Sequence, residues 1–554
     1  MKRLSSEPLP ESKIQKIVIR PTQLANYLLN DHLIDWLNLY GKKESHTFST
    51  FTRFLLEQGN KFEAKIIEHI RKNHPVVSIS TRFSEKGVEN TLKEIKKGTP
   101  LIHSAPLKSL NGEINGIADL LVRSDYLNKL VPNSITDDSI RGTEEPIRGG
   151  KYHYVVIDIK FSTLPLKQDE RTILNQDRYR AYKSQVWLYS KMVGEITGYT
   201  PKFGYILGRG YKSCSSSSTN AFSKLGVIDF DEDNIKSITE DAIKWTKNMI
   251  QNGKNWNFQT NPELYPNMMG YMTPEKQLIA EQIGEITQIW NCGIEHRLIA
   301  HQAGITSWKN PNFTSELIGI KNTQQSEIIN GMLNINRNTG VSFTRKNLFQ
   351  IPKHKKEYFV DFENFTGVFD DFSKIPESNP LNLIFMISVA SEEKGEINCT
   401  TFCVNSIDLN EEKRILNEFI NFISEDSRLY HWSSAEPTIF TNALKKHSIP
   451  NPFQEEDKWF DLFDFFKKEQ VCIRGCFSYS LKDIVRSLKK LNLISLEWNT
   501  QTVSGEDAMI QAYNEFSRGK TVSNSYILQD ISNYNQTDCI VLLEILNFLR
   551  NEKV

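Results

Sequence analysis

An apolar segment interrupted by two charges constrains the fold of this chain more than any other feature. Residues 153–162, HYVVIDIKFS, have the composition of a buried strand, yet they carry Asp158 and Lys160 two positions apart. Side chains two apart on a strand point to the same face of a sheet. Opposite charges near a core lose hydration energy unless something compensates them. We therefore expect an α/β core in which this strand ends at a polar site.

The pattern of helical and strand-like segments predicts an α/β, multidomain chain. Its 554 residues exceed what one hydrophobic core usually serves. Helical periodicity, strand-like runs and a second amphipathic helix follow one another in residues 1–260. Residues 261–350 look mostly helical and predict a spacer with a helix-hairpin-like element, which either bridges the domains or contacts nucleic acid. Residues 351–554 begin with three strand-like runs and continue with mixed helices and strands, which predicts a second α/β domain.

Bulk composition excludes few function classes. The formal net charge is zero, which argues against a uniformly basic nucleic-acid coat but leaves room for local basic patches. The first sixteen residues contain no apolar core of a secretory signal, and no apolar run reaches the length of a membrane span. We therefore expect an intracellular protein without membrane contact, in a compartment that the sequence does not identify.

Carboxylates near predicted strand ends form a first chemical constellation. Asp119 lies in GIADLLV, Asp158 lies on the next clear strand beside Lys160, and Glu63 lies on an upstream helix, where Glu68 is an alternative. Hard oxygen ligands of this kind hold Mg²⁺ or Mn²⁺. Such a metal polarises a phosphate and activates water, while a neighbouring lysine orients that water or stabilises charge. The residues therefore suit metal-dependent phosphodiester hydrolysis, although a surface ion pair explains an isolated D-x-K.

The order of these motifs resembles the RecB-like branch of the PD-(D/E)XK nucleases, which includes CRISPR-associated exonucleases. GIAD is followed some forty residues later by VIDIK, and then by QVWLY. The resemblance implies a restriction-endonuclease-like core, metal ligation by the carboxylates, catalysis by the lysine, and a glutamine and a tyrosine that seat DNA. The matching positions are Glu63, Asp119, Asp158 with Lys160, and Gln185 with Tyr189.

The seven cysteines do not form an obvious metal motif. Cys399 and Cys403, like Cys472 and Cys476, are four positions apart, which is not the usual two-residue gap of a zinc knuckle. Some RecB-like relatives hold an iron–sulfur cluster on four cysteines, but here only Cys214 lies near the corresponding end of the domain. We therefore expect reduced thiols and no iron–sulfur cluster.

A second constellation begins with EYFVDFENF. Asp361 and Glu363 are two apart on an apparent strand and share a face. Two anions this close raise each other's pKa unless a cation lies between them. Far downstream, Tyr534 and Asp538 are four apart on one face of a predicted helix. The alternatives are a solvated acidic turn at the first segment and a capped helix start at the second.

A D-x-E strand followed by a Y-x-x-x-D helix resembles the tyrosine-containing DEDD exonucleases of the RNase H-like fold. The resemblance implies two metal ions held by Asp361, Glu363 and Asp538, with Tyr534 orienting the attacking water. A further carboxylate is expected between the motifs. We favour Glu436 as this metal ligand, with Asp461 as a supporting ligand or a group that braces the ligands, although this family usually has an aspartate in the position of Glu436. The segment CFSYSLKDIVRSL then resembles a helix of RecB-associated RNase H-like domains.

The combined order of domains resembles a family of uncharacterised, predicted RecB-type nucleases. It implies a magnesium- or manganese-dependent nuclease, acting as an exonuclease on DNA ends or single strands. The segment DRYRAYKSQ interleaves aromatic rings with Arg178, Arg180 and Lys183, which suits backbone contacts with base stacking on a single strand. The alternatives are a non-cleaving nucleic-acid-binding subunit of a repair, replication or defence complex, and an exonuclease directed at RNA.

Overall fold

The computed structural model describes residues 17–41, 49–135, 137–144, 150–270, 272–338, 340–347, 351–454, 457–496, 498–500 and 504–551. The chain divides into two compact units, each of which is described by itself. The first comprises the described residues of Met1–Gly41, Gly59–Trp256 and Phe372–Ser378. The second comprises those of Lys42–Gln58, Asn257–Asp371 and Asn379–Val554.

The first unit consists of a mixed sheet with helices on both faces. Its helices are α1 (Ala25–Leu28), α2 (His32–Tyr40), α3 (Thr50–Asn73, of which residues 50–58 fall in the second unit), α4 (Glu85–Lys97), α5 (Ser124–Leu130), α6 (Asp138–Arg141), α7 (Tyr179–Thr197) and α8 (Ile235–Asn252). Its strands are β1 (Val77–Ser78), β2 (Leu101–Lys108), β3 (Asn115–Arg123), β4 (Tyr154–Ile159), β5 (Leu164–Pro165), β6 (Phe203–Leu207), β7 (Tyr211–Lys212), β8 (Ser217–Ser218) and β9 (Gly226–Asp229).

The main sheet of this unit has the strand order β1-β2-β3-β4-β6-β9. Strands β2, β3 and β4 are antiparallel neighbours, whereas β4 and β6 are parallel and are connected through helix α7. Tyr154 and Val156 of β4 belong to the core that also contains Val186 of α7, while Ile157 packs in the core formed with α3. Asp158 and Lys160 follow Tyr154 and Val156 at intervals of two residues, so their side chains point to the same face of the sheet, the face covered by α7.

The second unit contains the remaining elements. Its helices are α9 (Pro274–Ile283), α10 (Ile294–Gln302), α11 (Thr323–Arg337), α12 (Leu409–Phe422), α13 (Ala435–Lys446), α14 (Leu462–Lys468), α15 (Leu481–Lys490), α16 (Gly505–Ser517) and α17 (Tyr526–Asn551). Its strands are β10 (Phe343–Thr344), β11 (Glu357–Phe365), β12 (Leu383–Glu393), β13 (Glu396–Cys403), β14 (Arg428–His431), β15 (Trp459–Asp461) and β16 (Cys472–Ile473).

Five strands form the central sheet of the second unit in the order β13-β12-β11-β14-β15. The three strands that come first in the chain are antiparallel, and β14 and β15 add in parallel on the other side of β11. Phe362 packs with helices α12 and α13 on one face, whereas Phe359 packs with α17 on the other. Asp361 and Glu363 share the parity of Phe359 and therefore face α17.

Part of the predicted helical spacer is built into the second unit. Ile328 and Met332 of α11 are buried in the same core as α17, and β10 pairs with β16. The segment between α10 and α11 is held by Arg337, whose guanidinium donates to the carbonyls of Trp308, Asn310 and Phe313. The described residues of 261–350 contain the helices α9 to α11 and belong to the compact unit that carries the five-stranded sheet. Residues 304–320, where the sequence predicts a helix-hairpin-like element, form turns without a helix, so this expectation is corrected.

The final helix is longer than its sequence pattern suggested. Tyr534 lies inside α17, which begins at Tyr526, so the alternative of a capped helix start at YNQTD is wrong. The helix is buried along much of its length, including Tyr534, Asn535 and Asp538.

Among the described helices, none combines the length and apolar character needed to cross a membrane.

Candidate functional site

Three carboxylates converge where strand β11 faces helix α17. Asp361, Glu363 and Asp538 each offer one oxygen, and these oxygens all lie within 4.8 Å of one another. The strand alternation supplies the first two on one face, and the helix supplies the third from across the core. An all-oxygen donor set of this kind fits Mg²⁺ or Mn²⁺ better than a soft metal. The geometry therefore suits a hard divalent cation, whose identity the donor set leaves open.

Burial raises the pKa of all three acids, and repulsion by neighbouring carboxylates adds to it. Burial raises the pKa of Glu363 to about 8, with a further contribution from Asp538. Burial likewise raises the pKa of Asp538 to about 7, against the opposing effect of Lys482. The pKa of Asp361 is raised well above its usual range by burial and by the other two carboxylates. A divalent cation among them would remove the repulsion that these pKa values reflect.

Hydrogen-bond donors orient two of the three carboxylates. The Asn535 side-chain amide donates to Asp361 Oδ2, and the Trp498 indole Nε1 donates to Asp538 Oδ1 at 3.0 Å. The Tyr534 hydroxyl also hydrogen-bonds Asp538. On β11 the register shifts between Glu363 and Asn364, so the strand is irregular directly after the second acid. Donors around ligand carboxylates are the usual support of a metal site because they fix ligand orientation.

A lysine lies beside this cluster. The Nζ atom of Lys482, near the start of α15, is 4.9 Å from the centroid of the Tyr534 ring and 5.8 Å from that of Trp498. Burial lowers the pKa of Lys482, while Asp538 and Glu363 counteract that effect. The Lys482 ammonium therefore lies over the face of the Tyr534 ring and interacts electrostatically with the candidate ligands Asp538 and Glu363.

The predicted middle carboxylate lies near this cluster but outside the group of three. Glu436 is 7% exposed at the start of α13, and its Oε2 is 3.6 Å from His431 Nδ1. Its pKa is raised, mainly by burial, and its charge in turn raises the pKa of Asp361 and Glu363. Asp461 accepts from the backbone N–H groups of Ser433 and Asp464, so it caps α14 and braces the loop before Glu436.

The first predicted site lies at the ends of β3 and β4 in the other unit. Lys160 Nζ is 2.6 Å from Asp158 Oδ2, and the Gln185 side-chain amide donates to Asp158 Oδ1 at 3.3 Å. Asp119 Oδ2 accepts from the Ile159 backbone N–H at 2.8 Å. The carboxylates on two neighbouring strands, the lysine and the glutamine of α7 are therefore brought together.

The electrostatics of this first site favour a cation. Burial raises the pKa of Asp119 well above its usual value, and Asp158 and Glu63 raise it further. Burial acts to lower the pKa of Lys160, but the carboxylates of Asp158 and Asp119 more than offset this, and the net change is upward. Lys160 therefore stays protonated and bonded to Asp158, 4.9 Å from the centroid of the Tyr182 ring. The acids offer hard oxygen donors beside the lysine, but among the described residues only Asp361, Glu363 and Asp538 bring their oxygens within 4.8 Å of one another.

The structure distinguishes the two candidate glutamates of helix α3. Glu63 Oε1 lies 3.5 Å from His103 Nε2, and Glu63 acts electrostatically on Asp119. Glu68 has a side chain that is 54% exposed and pairs with Lys65 on the same helix. Of the two, Glu63 is therefore the one directed toward the other acids.

Tyr189 is fitted closely against the first site. It is 3% exposed, and burial, followed by Asp158 and Asp119, raises the pKa of its hydroxyl. A Cβ atom added to Gly116 would lie 2.7 Å from Tyr189 Cε1. The glycine of the G-x-x-D motif thus leaves space for the tyrosine of the Q-x-x-x-Y motif.

The three basic residues predicted to contact nucleic acid differ in exposure. Arg178 and Arg180 are exposed around the start of α7. Lys183 is 1% exposed, and its ammonium donates to Asp233 Oδ2 at 2.6 Å and to the Ile173 carbonyl at 2.8 Å. The expectation of a nucleic-acid contact at Lys183 is therefore corrected, because this side chain ties α7 to its own domain instead.

Sequence reasoning did not single out several residues that contact or flank the acids: His103, His431, Lys482, Trp498 and Asn535. Asn535 directly follows Tyr534, and Lys482 lies in the segment CFSYSLKDIVRSL. Neither Asn535 nor Lys482 belongs to a sequence motif that would identify it as a functional residue. Their role depends on distances between segments that are far apart in the chain, as with Trp498 and Asp538.

Comparison with known protein families supports the RNase H-like prediction for the C-terminal part of the chain. The family model of the RNase H superfamily matches residues 376–550, which include Glu436, Lys482, Tyr534 and Asp538. The C-terminal part of the chain is therefore RNase H-like, which indicates nuclease-type chemistry, the hydrolysis of phosphodiester bonds in nucleic acid. A search of curated proteins gives no match.

Proposed function

We propose that this chain is a metal-dependent nuclease with two catalytic-type sites, acting as an exonuclease on DNA ends or single strands. One observation carries the proposal: the carboxylates of Asp361, Glu363 and Asp538 converge, and Asp538 lies within residues 376–550, which match the RNase H superfamily. The proposed domains are a PD-(D/E)XK unit over residues 1–260 and an RNase H-like exonuclease domain over 351–554. The helical segment 261–350, predicted as a spacer, packs into the same compact unit as the second domain.

At the C-terminal site, the chain's own groups orient the reactants. Asp361, Glu363 and Asp538 would hold Mg²⁺ or Mn²⁺, with Glu436 as the nearby fourth acid. Such a cation, when bound, polarises the scissile phosphate and favours attack by water. Asn535 and Trp498 keep two carboxylates in place, and Tyr534 directs its hydroxyl at the cluster, where it can position the water.

At the N-terminal site, the proposed roles follow from the same chemistry. Glu63, Asp119 and Asp158 would hold the cation, and the Lys160 ammonium would orient water or stabilise charge on the phosphate. Gln185 donates to Asp158, and the buried Tyr189 fills the space beside Gly116. In place of the DNA contact that the resemblance implies, both side chains are proposed to support the acids. Arg178 and Arg180 are the exposed groups proposed to meet the phosphate backbone.

The decisive experiment follows end-labelled single- and double-stranded DNA, with matched RNA, in EDTA, Mg²⁺ and Mn²⁺. Full-length wild type is compared with Lys160→Ala, Asp361→Ala and the double variant. We expect no cleavage in EDTA and recovery of cleavage when Mg²⁺ or Mn²⁺ is added. Each single variant should lose a set of cleavage products that the other single variant still forms. If neither substitution changes the cleavage of any substrate, the proposal fails. Preferential cleavage of RNA would identify the RNA-directed alternative.

A non-cleaving clamp is the second candidate function. It is favoured by the position of Glu436, which lies beside His431 and outside the group of three convergent carboxylates. In that case the chain would serve as a nucleic-acid-binding subunit of a repair, replication or defence complex. Tight binding of oligonucleotides without turnover at saturating Mn²⁺ would support this function over the first.

A further inference from the structure

We propose that Lys482 is a catalytic residue of the C-terminal site, whose ammonium contacts the scissile phosphate of the nucleic acid. This inference rests on the proposed function and adds to it a residue outside the predicted acid and tyrosine motifs. Its geometric basis is the position of Lys482 Nζ, 4.9 Å from the centroid of the Tyr534 ring and 5.8 Å from that of Trp498.

Both aromatic partners of Lys482 belong to the site itself. Tyr534 hydrogen-bonds Asp538, and Trp498 donates to the same carboxylate at 3.0 Å. The lysine is therefore placed by the two side chains that also orient a candidate ligand. A partly buried lysine held over aromatic faces loses less freedom on binding an anion than one on an open surface. This arrangement localises a positive charge at the rim of the carboxylates.

Charge balance explains why such a group is useful. Asp361, Glu363, Asp538 and Glu436 can carry four negative charges, which two divalent cations would balance. During hydrolysis a bond forms between the water oxygen and phosphorus while the bond from phosphorus to the leaving oxygen breaks. The water loses a proton to solvent, and the leaving oxygen gains one from solvent. Negative charge grows on the phosphoryl oxygens in between, and a lysine ammonium stabilises it.

The kinetic test uses the full chain with Lys160→Met in every variant, so that the first candidate site is silent. Single-turnover cleavage of a 5′-labelled oligonucleotide is measured at saturating Mn²⁺ for Lys482→Met, Lys482→Arg and the matched control Lys490→Met, an exposed lysine on the same helix. We expect Lys482→Met to lower the rate constant about 100-fold. Lys482→Arg should recover part of the rate, and the control should match its parent.

Two further measurements separate a phosphate contact from a role in the metal site. Calorimetric Mn²⁺ affinity should not fall in Lys482→Met. Anisotropy in Ca²⁺ should report oligonucleotide binding that is about tenfold weaker in Lys482→Met and unchanged in the control. Unchanged rate and binding would overturn the proposal, as would a loss that excess Mn²⁺ fully restores. Lys482→Gln replaces the methionine variant if circular dichroism finds the latter unfolded.

These readouts also separate this proposal from the proposed function. If the Lys160→Met parent cleaves no DNA or RNA, the C-terminal site is not a nuclease, and the proposed function fails there. Weaker binding confined to Lys482→Met would still support the phosphate contact, whereas equal binding by Lys482→Met and Lys490→Met would overturn it.

Discussion

Gly116 of β3 packs against Tyr189 of α7 so closely that an added Cβ would lie 2.7 Å from the tyrosine Cε1 and 3.1 Å from its hydroxyl oxygen. The two residues are distant in sequence, yet each comes from a motif of the first candidate site. Their contact couples the strand that carries Asp119 to the helix that carries Gln185.

Gly116→Ala should therefore destabilise the protein by about 1–3 kcal/mol, because a methyl group has no room beside the buried tyrosine. Cleavage assigned to the N-terminal site should fall as well, since Tyr189 must move. Urea unfolding measures the first effect. Gly59→Ala is the control, because an added Cβ there has no neighbour within 4 Å and alanine favours helix α3. A Gly116→Ala variant as stable as wild type would contradict the packing argument.

Metal binding should stabilise the protein more at pH 8 than at pH 5. The pKa of Glu363 is raised to about 8 and that of Asp538 to about 7 in the fold without metal. A raised carboxyl pKa means that the folded state binds its proton more tightly than the unfolded chain. The resulting contribution to stability is present below the unfolded pKa, and it is lost as pH rises toward the folded value. The loss is about 1.4 kcal/mol for each pH unit that separates the two pKa values.

Thermal unfolding in EDTA should accordingly show stability decreasing between roughly pH 4.5 and pH 8. Mn²⁺ should reverse this decrease, because it replaces the protons. Glu363→Gln should flatten the pH dependence in EDTA and reduce the stabilisation by Mn²⁺. A pH dependence in EDTA that is identical for wild type and Glu363→Gln would be evidence against buried, mutually repelling carboxylates.

Trp498→Phe should weaken Mn²⁺ binding by about 10- to 100-fold, because it removes the indole donor that orients Asp538. The ring that remains keeps most of the apolar contact, so the global melting temperature should change little. Calorimetric titration with Mn²⁺ measures the affinity. Trp432→Phe is a matched control, since that indole donates to the Tyr479 carbonyl instead of a carboxylate. Equal affinities in the two variants would rule out this role for Trp498.

Substitution of Lys183 should lower stability, whereas substitution of the neighbouring arginines should weaken oligonucleotide binding. Lys183→Met removes hydrogen bonds to Asp233 and to the Ile173 carbonyl, and should cost about 1–3 kcal/mol of stability. The double variant Arg178→Ala/Arg180→Ala should leave stability nearly unchanged but weaken oligonucleotide binding and reduce its salt dependence. Denaturant unfolding and anisotropy at several salt concentrations distinguish the two. Unaltered oligonucleotide binding by the double variant would show that these arginines do not contact the nucleic acid.

Local patterns were enough to predict most of the elements that carry the acids. The apolar run around Asp158 predicted β4, the D-x-E segment predicted β11, and the stripe around Gln185 predicted α7. Periodicity also placed Asp361 and Glu363 on one face. These predictions work because alternation and helical spacing are properties of neighbouring residues. The start of α17 was not predicted, although Ser525 marks it as an N-cap residue whose hydroxyl accepts from the Leu528 backbone N–H.

The sequence alone determined which chemistry was available: a pair of carboxylates on one strand, a lysine beside a carboxylate on another strand, and a tyrosine one turn before a further acid. Only the tertiary structure decided which of these groups meet. It buried Lys183 against Asp233, turned Glu63 rather than Glu68 toward Asp119, and brought Trp498 and Lys482 to the acids around Asp538. The physical reason is that such contacts join residues far apart in the chain, and packing of the whole core decides them.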